Sequence, residues 1–213
     1  MFSVCSVVNK VFELNNSPWI ILIAVLVYGV IHSLLASHPA KDLARRWFGE
    51  TSGRVYRLAY NIFAVVSLLP VLALVALLPD WRLYILPSPW SFLALAMQGV
   101  AVLALLVGLW QTGVWWFLGL EQLVRPIEGD EPQLVIRGLY RWVRHPLYTA
   151  GLVFIWLTPL MTTNLLVLNV GLTIYLVIGA YFEERKLLRE FGPAYAEYQR
   201  RTPMLVPGLR GSQ

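Results

Sequence analysis

The stretch YTAGLVFIWLTPLMTTNLLVLNVGLTIYLVIGAYF, residues 148–182, decides how this chain folds. It carries no charged side chain, and the polar triplet Thr162-Thr163-Asn164 divides it into two apolar runs, at about 148–161 and 165–182. So short a polar connection predicts a tight helical hairpin. The first run spans about 21 Å as a helix, less than a bilayer core of about 30 Å. We therefore expect this arm to tilt, or to be extended by the residues before Tyr148.

Three further apolar segments precede the hairpin, at about residues 19–35, 60–78 and 91–118. The chain is 58% hydrophobic and 14% charged, whereas a soluble domain carries about a quarter charged residues. The sequence therefore predicts an all-α fold, a polytopic membrane bundle of about five transmembrane helices with a C-terminal helical hairpin. We expect a single integral membrane domain over residues 1–213, with a three-helix part at about 19–120.

Charged residues indicate the orientation of the bundle. The loop after the first span contains five basic residues against Asp42 and Glu50, namely Lys41, Arg45, Arg46, Arg54 and Arg57. Because cytoplasmic loops are enriched in Lys and Arg, this loop is predicted to be cytoplasmic and the N-terminus to lie outside. The basic segment after Phe182 predicts a cytoplasmic C-terminus. We expect the net charge of +5 to meet membrane lipids rather than nucleic acid. Cys5 is the only cysteine, and no metal site is predicted.

The hairpin is expected to bring two polar groups to one rim of the bundle. One pole offers Arg144, His145 and Tyr148, and the other offers Glu183, Glu184, Tyr195 and Tyr198. Taken singly, each has a plainer explanation: a topology-setting arginine, a histidine at a helix start, a solvated turn, interfacial tyrosines. Together, they suit a zwitterionic ligand with an aromatic end, which needs a guanidinium, a carboxylate and an aromatic wall. This hypothesis requires room for a nucleoside between Arg144 and Glu184.

The stretch from about Gly138 to Pro207 resembles the isoprenylcysteine carboxyl methyltransferase and phospholipid methyltransferase superfamily. The resemblance rests on Arg144-His145-Pro146-Leu147-Tyr148 with Gly151, on Glu183-Glu184-Arg185, and on Phe191-Gly192 with Tyr195, Tyr198 and Pro203. It implies that residues 138–207 bind S-adenosylmethionine and that the chain is a methyltransferase. The cofactor-binding residues it implies are Tyr140, Arg144, His145, Pro146, Tyr148, Gly151, Glu183, Glu184, Tyr195 and Tyr198.

The N-terminal half is similar to bacterial membrane methanethiol S-methyltransferases, through residues 31–37 (IHSLLAS) with Pro39 and Lys41. This similarity implies a bacterial inner-membrane enzyme that methylates a small thiol such as methanethiol. A thiol must lose its proton before it attacks, and His32, an ionisable residue within a span, is the candidate catalytic base. Its plainer explanation is a hydrogen bond to a neighbouring helix. Gln111 and Trp115 are candidates for the acceptor side.

Other acceptors stay open at the level of sequence. A prenylated cysteine carboxylate or a phospholipid amine would give an enzyme of the same superfamily, so the acceptor is a small molecule or a lipid. A different class is a non-enzymatic membrane protein on the same scaffold. A transporter would show repeated halves or paired broken helices, and the sequence contains neither. The oligomeric state is also left open.

Overall fold

A computed structural model describes residues 4–49, 51–124 and 134–208. The elements are α1 Val4–Ala36, α2 His38–Phe48, α3 Thr51–Leu77, β1 Arg82–Ile85, α4 Trp90–Thr112, α5 Val114–Leu118, α6 Glu121–Val124, a 3₁₀ turn Gly138–Arg141, α7 Pro146–Trp156, β2 Leu160–Thr162, α8 Thr163–Phe191 and α9 Pro193–Arg201. Within the described residues, four helices are long and apolar enough to cross a membrane, at Asn16–Ala36, Val55–Leu77, Trp90–Thr112 and Thr163–Phe191. The shorter apolar helix is α7. The predicted all-α membrane bundle is confirmed.

The chain forms two compact units. The first consists of Met1–Leu86, Leu118–Arg125 and Leu160–Leu172, and the second of Pro87–Phe117, Pro126–Pro159 and Thr173–Gln213. The core of the first unit is built from Ile21, Val25, Val71 and Leu168. A Cβ added at Gly171 would lie 2.8 Å from Cγ1 of Val25, so a glycine permits the close approach of α8 to α1.

A two-stranded antiparallel sheet in the first unit was not predicted. Strand β1 pairs with β2, with Tyr84 opposite Met161 and Ile85 opposite Leu160. Next to it, Oδ1 of Asp80 accepts the backbone N–H of Asn164 at 3.0 Å. This carboxylate satisfies an N–H at the start of α8 that has no partner inside the helix. The sheet and the cap together fix the connection into α8.

In the second unit, α7 packs closely on α4 at Gly108, and a side-chain hydrogen bond joins the two helices. A Cβ at Gly108 would lie 2.8 Å from Cδ2 of Leu147, which shows how closely the two helices approach. The Nε2 of Gln98 donates to the carbonyl of Phe154 at 2.8 Å. An amide that reaches a backbone carbonyl in this way satisfies a polar side chain on an apolar helix.

Several predicted boundaries were wrong. The third span does not continue to Leu118, because the backbone of Gly113 has φ +83° and ends α4 at Thr112. The hairpin arm α7 stops at Trp156, and β2 occupies part of the expected turn. The basic loop after the first span is largely helix α2. Part of the polar segment predicted between Glu121 and Arg144, residues 125–133, lies outside the described residues.

Candidate functional site

The second unit is organised around the carboxylate of Glu184, a buried residue of α8. Its Oε1 accepts hydrogen bonds from Nε of Arg144 at 2.6 Å, Nε2 of His145 at 3.0 Å and the hydroxyl of Tyr195 at 3.2 Å. Its Oε2 accepts from Nη2 of Arg144 at 2.7 Å and Nε2 of Gln199 at 2.8 Å. A bidentate guanidinium with three further donors is the kind of environment in which a buried carboxylate is stabilised.

Arg144 also fastens the chain that follows α9. Its Nη1 donates to the carbonyl of Gln199 at 3.1 Å and to that of Thr202. Backbone and hydroxyl hydrogen bonds continue the same contact: Arg144 N to Pro203 O at 2.9 Å, His145 N to Met204 O at 3.1 Å, and Thr149 Oγ1 to Leu205 O at 2.7 Å. The segment 202–205 is therefore held along the start of α7.

This geometry corrects the two-pole arrangement expected from the sequence. Arg144 and Glu184 bind each other directly, so no nucleoside fits between their charged groups. Both side chains are largely buried, at 11% and 10% exposure. A charge withdrawn from water to this degree needs a close partner of opposite sign, and the two groups serve that purpose for each other.

The exposed edge of the cluster is formed by Glu183, Tyr148 and His145. The side chain of Glu183 is 44% exposed, and its Oε2 accepts the Tyr148 hydroxyl at 2.9 Å. Nδ1 of His145 lies 3.6 Å from the same oxygen. The rings of His145 and Tyr148 are stacked, with centroids 5.3 Å apart and planes 8° apart. This edge combines a carboxylate that water can reach with an aromatic pair.

Pro146 and Gly151 shape the helix that carries this edge. Pro146 is buried in the first turn of α7, where its missing N–H costs no hydrogen bond. Gly151 follows Tyr148 by one turn, on the same face of the helix. A Cβ added at Gly151 would meet no described atom within 4 Å. The face of α7 next to Tyr148 therefore has room beside it.

Three of the tyrosines predicted to bind the cofactor pack within the unit. Tyr195 and Tyr198 are 1% and 8% exposed, and the hydroxyl of Tyr198 donates to the carbonyl of Tyr140 at 2.6 Å. Burial raises the pKa of Tyr140 to about 12, and the charge of Glu183 adds to this effect. Burial also raises the pKa of Tyr195, where the nearby Glu184 contributes, and the pKa of Tyr198. All three are neutral at physiological pH.

The three candidates outside this cluster have different surroundings. His32 belongs to the first unit, where the hydroxyl of Tyr60 lies 2.8 Å from Nε2 and 3.0 Å from Nδ1. In the second unit, Oε1 of Gln111 accepts the backbone N–H of Leu139 at 3.1 Å, so it supports the 3₁₀ turn. Trp115 is 67% exposed on α5.

Sequence reasoning missed Gln199, Thr202 and Tyr60. Gln199 follows Tyr195 by four residues on α9, so helical periodicity alone would have placed it on the same face as the buried tyrosine. Thr202 contributes a backbone carbonyl to Arg144, and no side-chain pattern signals such a contact. Tyr60 lies in the second span, where a polar group within an apolar helix invites a search for a partner such as His32.

The long apolar helices define an integral membrane protein. No family model and no solved structure matches the chain. Methanethiol S-methyltransferase 2 of Bradyrhizobium diazoefficiens is 34% identical over 92% of this chain and 76% of its own length. Methanethiol S-methyltransferase 1 of the same organism is 30% identical over 89% of this chain, and the chain covers 66% of that relative. Human protein-S-isoprenylcysteine O-methyltransferase is 30% identical over 43% of this chain and 33% of its own length. The chain belongs to the methanethiol S-methyltransferase family, which confirms the resemblance noted in the sequence.

Proposed function

We propose that this protein is an S-adenosylmethionine-dependent membrane methyltransferase that methylates a small thiol such as methanethiol. The observation that carries this proposal is the similarity to methanethiol S-methyltransferases over about nine tenths of the chain. The Glu184 cluster and its exposed edge support it. They bring together, on α7, α8 and α9, the residue types that a zwitterionic cofactor with an aromatic base requires.

The exposed edge fits the ammonium and aromatic groups of the cofactor better than the buried pair does. Glu183 is half-exposed, and a carboxylate oxygen can accept more than one hydrogen bond, so it is the group that would hold the ammonium. Tyr148 and His145 would face the aromatic base. Four of the five N–H groups of Arg144 already bind Glu184 and two backbone carbonyls, so the guanidinium offers the cofactor's carboxylate at most one donor, on Nη2, while these contacts persist. Glu184 therefore acts as a structural acceptor, and Glu183 as the binding residue.

The reaction requires alignment and removal of one proton. When bound, S-adenosylmethionine supplies a methyl group on a positively charged sulfur. The protein must hold the acceptor sulfur in line with the methyl carbon and the sulfonium sulfur, and positioning of this kind contributes several kcal/mol. The protein would bring a thiolate acceptor and this positively charged donor together, and their opposite charges would cancel as the methyl group leaves one sulfur and bonds to the other. An apolar setting that excludes water favours this step.

His32 is the proposed base for the thiol proton. A cysteine-like thiol has a pKa of about 8.5, so only a small part of it is ionised near neutrality. One ring nitrogen of His32 would take the proton while the Tyr60 hydroxyl, 2.8 Å from Nε2 and 3.0 Å from Nδ1, fixes the ring. Tyr60 is therefore a positioning residue, since it acts through His32. We assign Gln111 to support of the 3₁₀ turn and Trp115 to the acceptor side.

The test uses purified protein in lipid nanodiscs with S-adenosylmethionine labelled at the methyl group. Parallel reactions contain methanethiol, a prenyl-cysteine analogue or phosphatidylethanolamine, and labelled dimethyl sulfide, methyl ester or methylated lipid is counted. We expect dimethyl sulfide. Ester formation alone would select carboxyl methylation, which the partial similarity to the human enzyme favours as the second candidate. Absence of cofactor binding at millimolar concentration would overturn the enzyme proposal in favour of a non-enzymatic scaffold.

Two variants make the assay specific to the site. Glu183→Gln removes the proposed partner of the cofactor's ammonium group. Glu190→Gln makes the same substitution at another exposed glutamate of α8, so it removes the same charge elsewhere on the helix. The first should weaken cofactor binding measured by calorimetry, and the second should leave it unchanged. Equal effects would show that general charge on α8, rather than a site at Glu183, governs binding.

A further inference from the structure

Helix α2, His38–Phe48, has two chemically distinct faces. Ala40, Leu43, Ala44 and Trp47 follow the spacing i, i+3, i+4, i+7 and lie on one side. The opposite side carries three basic residues against one acid, namely Lys41, Arg45, Arg46 and Asp42. A helix with a basic polar face and a separate apolar face is typical of segments that lie in a membrane interface.

The two large side chains on the apolar face of α2 are exposed within its own unit, Leu43 at 46% and Trp47 at 73%, whereas Ala40 and Ala44 are half-buried. Phe48, at the end of the helix, is 72% exposed. The helix is nevertheless well defined: the side chain of Ser37 accepts the N–H of Ala40 at 3.4 Å, and Gly49, with φ +73°, ends it. Water is a poor environment for three large apolar side chains on an ordered helix of this length.

The position of α2 in the chain bounds its distance from the bilayer. One candidate span ends at Ala36, the next begins at Val55, and residues 37–54 alone connect them. A helix of eleven residues is about 16 Å long, so little chain remains on either side of it. The segment therefore stays beside the point where the chain leaves the membrane and returns.

We propose that α2 is an interfacial helix that binds the surface of an anionic phospholipid bilayer. Leu43 and Trp47 lie at the boundary between headgroups and acyl chains, where indole rings are enriched. Arg45 and Arg46, both exposed, contact anionic headgroups. The helix thereby anchors the ends of α1 and α3 at the depth of the headgroups. This proposal rests on charge complementarity and on the adjoining spans, and it holds whatever reaction the protein catalyses.

The depth of α2 in the bilayer is tested with nitroxide spin labels on protein in lipid nanodiscs. The background is Cys5→Ser, because Cys5 is the only cysteine in the sequence. Trp47→Cys and the matched Arg46→Cys place one label on each face of α2. Power saturation should show the label at position 47 exposed to oxygen rather than to a water-soluble nickel chelate, and the reverse at position 46. Nickel access at both would overturn the proposal. Exclusion of both relaxants at position 47 would also overturn it, and would indicate a protein partner, or a second copy if light scattering gives a dimer.

Headgroup binding is tested separately with spin-labelled lipids. The protein should prefer phosphatidylglycerol to phosphatidylcholine, and the double variant Arg45→Gln/Arg46→Gln should reduce this preference by roughly fivefold for each arginine. The matched control is Arg200→Gln/Arg201→Gln, an exposed pair on α9 that already contacts Glu197. If the control lowers the preference as much as the α2 variant, or neither changes it, the assignment of anionic lipid to α2 is overturned.

Discussion

Replacing each of two neighbouring carboxylates by glutamine, one at a time, should separate an effect on folding from an effect on cofactor binding. Glu183 and Glu184 are adjacent on α8, and each can be replaced by glutamine with almost no change in shape. The structure gives them opposite roles. Glu184 is buried and accepts five side-chain hydrogen bonds from described residues. Glu183 is 44% exposed and accepts one, from Tyr148.

The expected effect of each substitution follows from how deeply the carboxylate is buried and from the groups that hydrogen-bond to it. Glu184→Gln removes a negative charge from Arg144 and turns an N–H₂ group toward donors, so a buried cation loses its counter-charge. Removal of one member of a buried ion pair costs about 3–5 kcal/mol. Glu183→Gln breaks a contact at an exposed site, and such contacts are worth about 0–1 kcal/mol. If Glu183 holds the cofactor's ammonium, loss of a charge-assisted hydrogen bond worth roughly 1.5–3 kcal/mol weakens cofactor affinity about tenfold to a hundredfold.

Unfolding is measured by SDS titration of protein in mild detergent, followed by far-UV circular dichroism, and cofactor affinity by calorimetry on the same preparations. We expect Glu184→Gln to unfold at much lower SDS fraction, and Glu183→Gln to unfold like the wild type while binding cofactor weakly. The reasoning is refuted if Glu184→Gln keeps wild-type stability, or if Glu183→Gln is the unstable variant. Should both be stable and only Glu184→Gln lose affinity, the binding roles of the two residues are exchanged.

Three further predictions concern other parts of the molecule. His32→Ala should lower turnover about a hundredfold, as expected for a general base, with cofactor affinity unchanged by calorimetry; equal losses in both would place His32 in the binding site or the core. Gly151→Leu should leave thermal unfolding unchanged and weaken cofactor binding at least tenfold, since its Cβ meets open space, whereas Gly108→Leu should destabilise the packing of α7 on α4. Stability should fall above about pH 10, and Tyr195→Phe should reduce the steepness of that fall in SDS titrations at increasing pH.

Much of the bundle could be predicted from sequence because hydrophobicity decides which segments enter a membrane. In lipid, a long apolar run such as residues 165–182 can satisfy its backbone groups within the segment itself only as a helix. The positions at which the helices end, in contrast, depend on local backbone geometry. Gly113 ends α4 through a positive φ, although apolar residues resume directly after it at Val114 and Trp115. Because the chain is apolar again from Val114, hydrophobicity alone extends the helix past this break.

The sequence predicted which residue types form the site, but it did not predict which of these side chains bind one another. The hairpin does bring Arg144, His145 and Glu184 into one unit, as helix lengths and the turn suggested. Whether a guanidinium meets a carboxylate or a ligand depends on differences of a few ångströms, which sequence spacing does not fix. The side-chain amide of Gln199, which donates to Glu184, and the carbonyl of Thr202, which accepts from Arg144, complete the contacts of this ion pair. These contacts come from α9 and the chain after it, so they depend on how that segment folds back.

The predicted loss of folding stability at high pH follows from the direction in which the tyrosine pKa values are shifted. An isolated tyrosine has a pKa of about 10, and burial raises the pKa of Tyr140 to about 12 and raises those of Tyr195 and Tyr198. The folded protein therefore keeps phenolic protons that the unfolded chain loses. Stability from this source is complete below about pH 10 and declines as pH rises through the folded pKa values, by up to about 1.4 kcal/mol per pH unit for each tyrosine. Tyr195→Phe removes one titrating group, so its unfolding free energy should depend less on pH between 10 and 12. An unchanged slope would show that Tyr195 ionises in the folded state as it does in water.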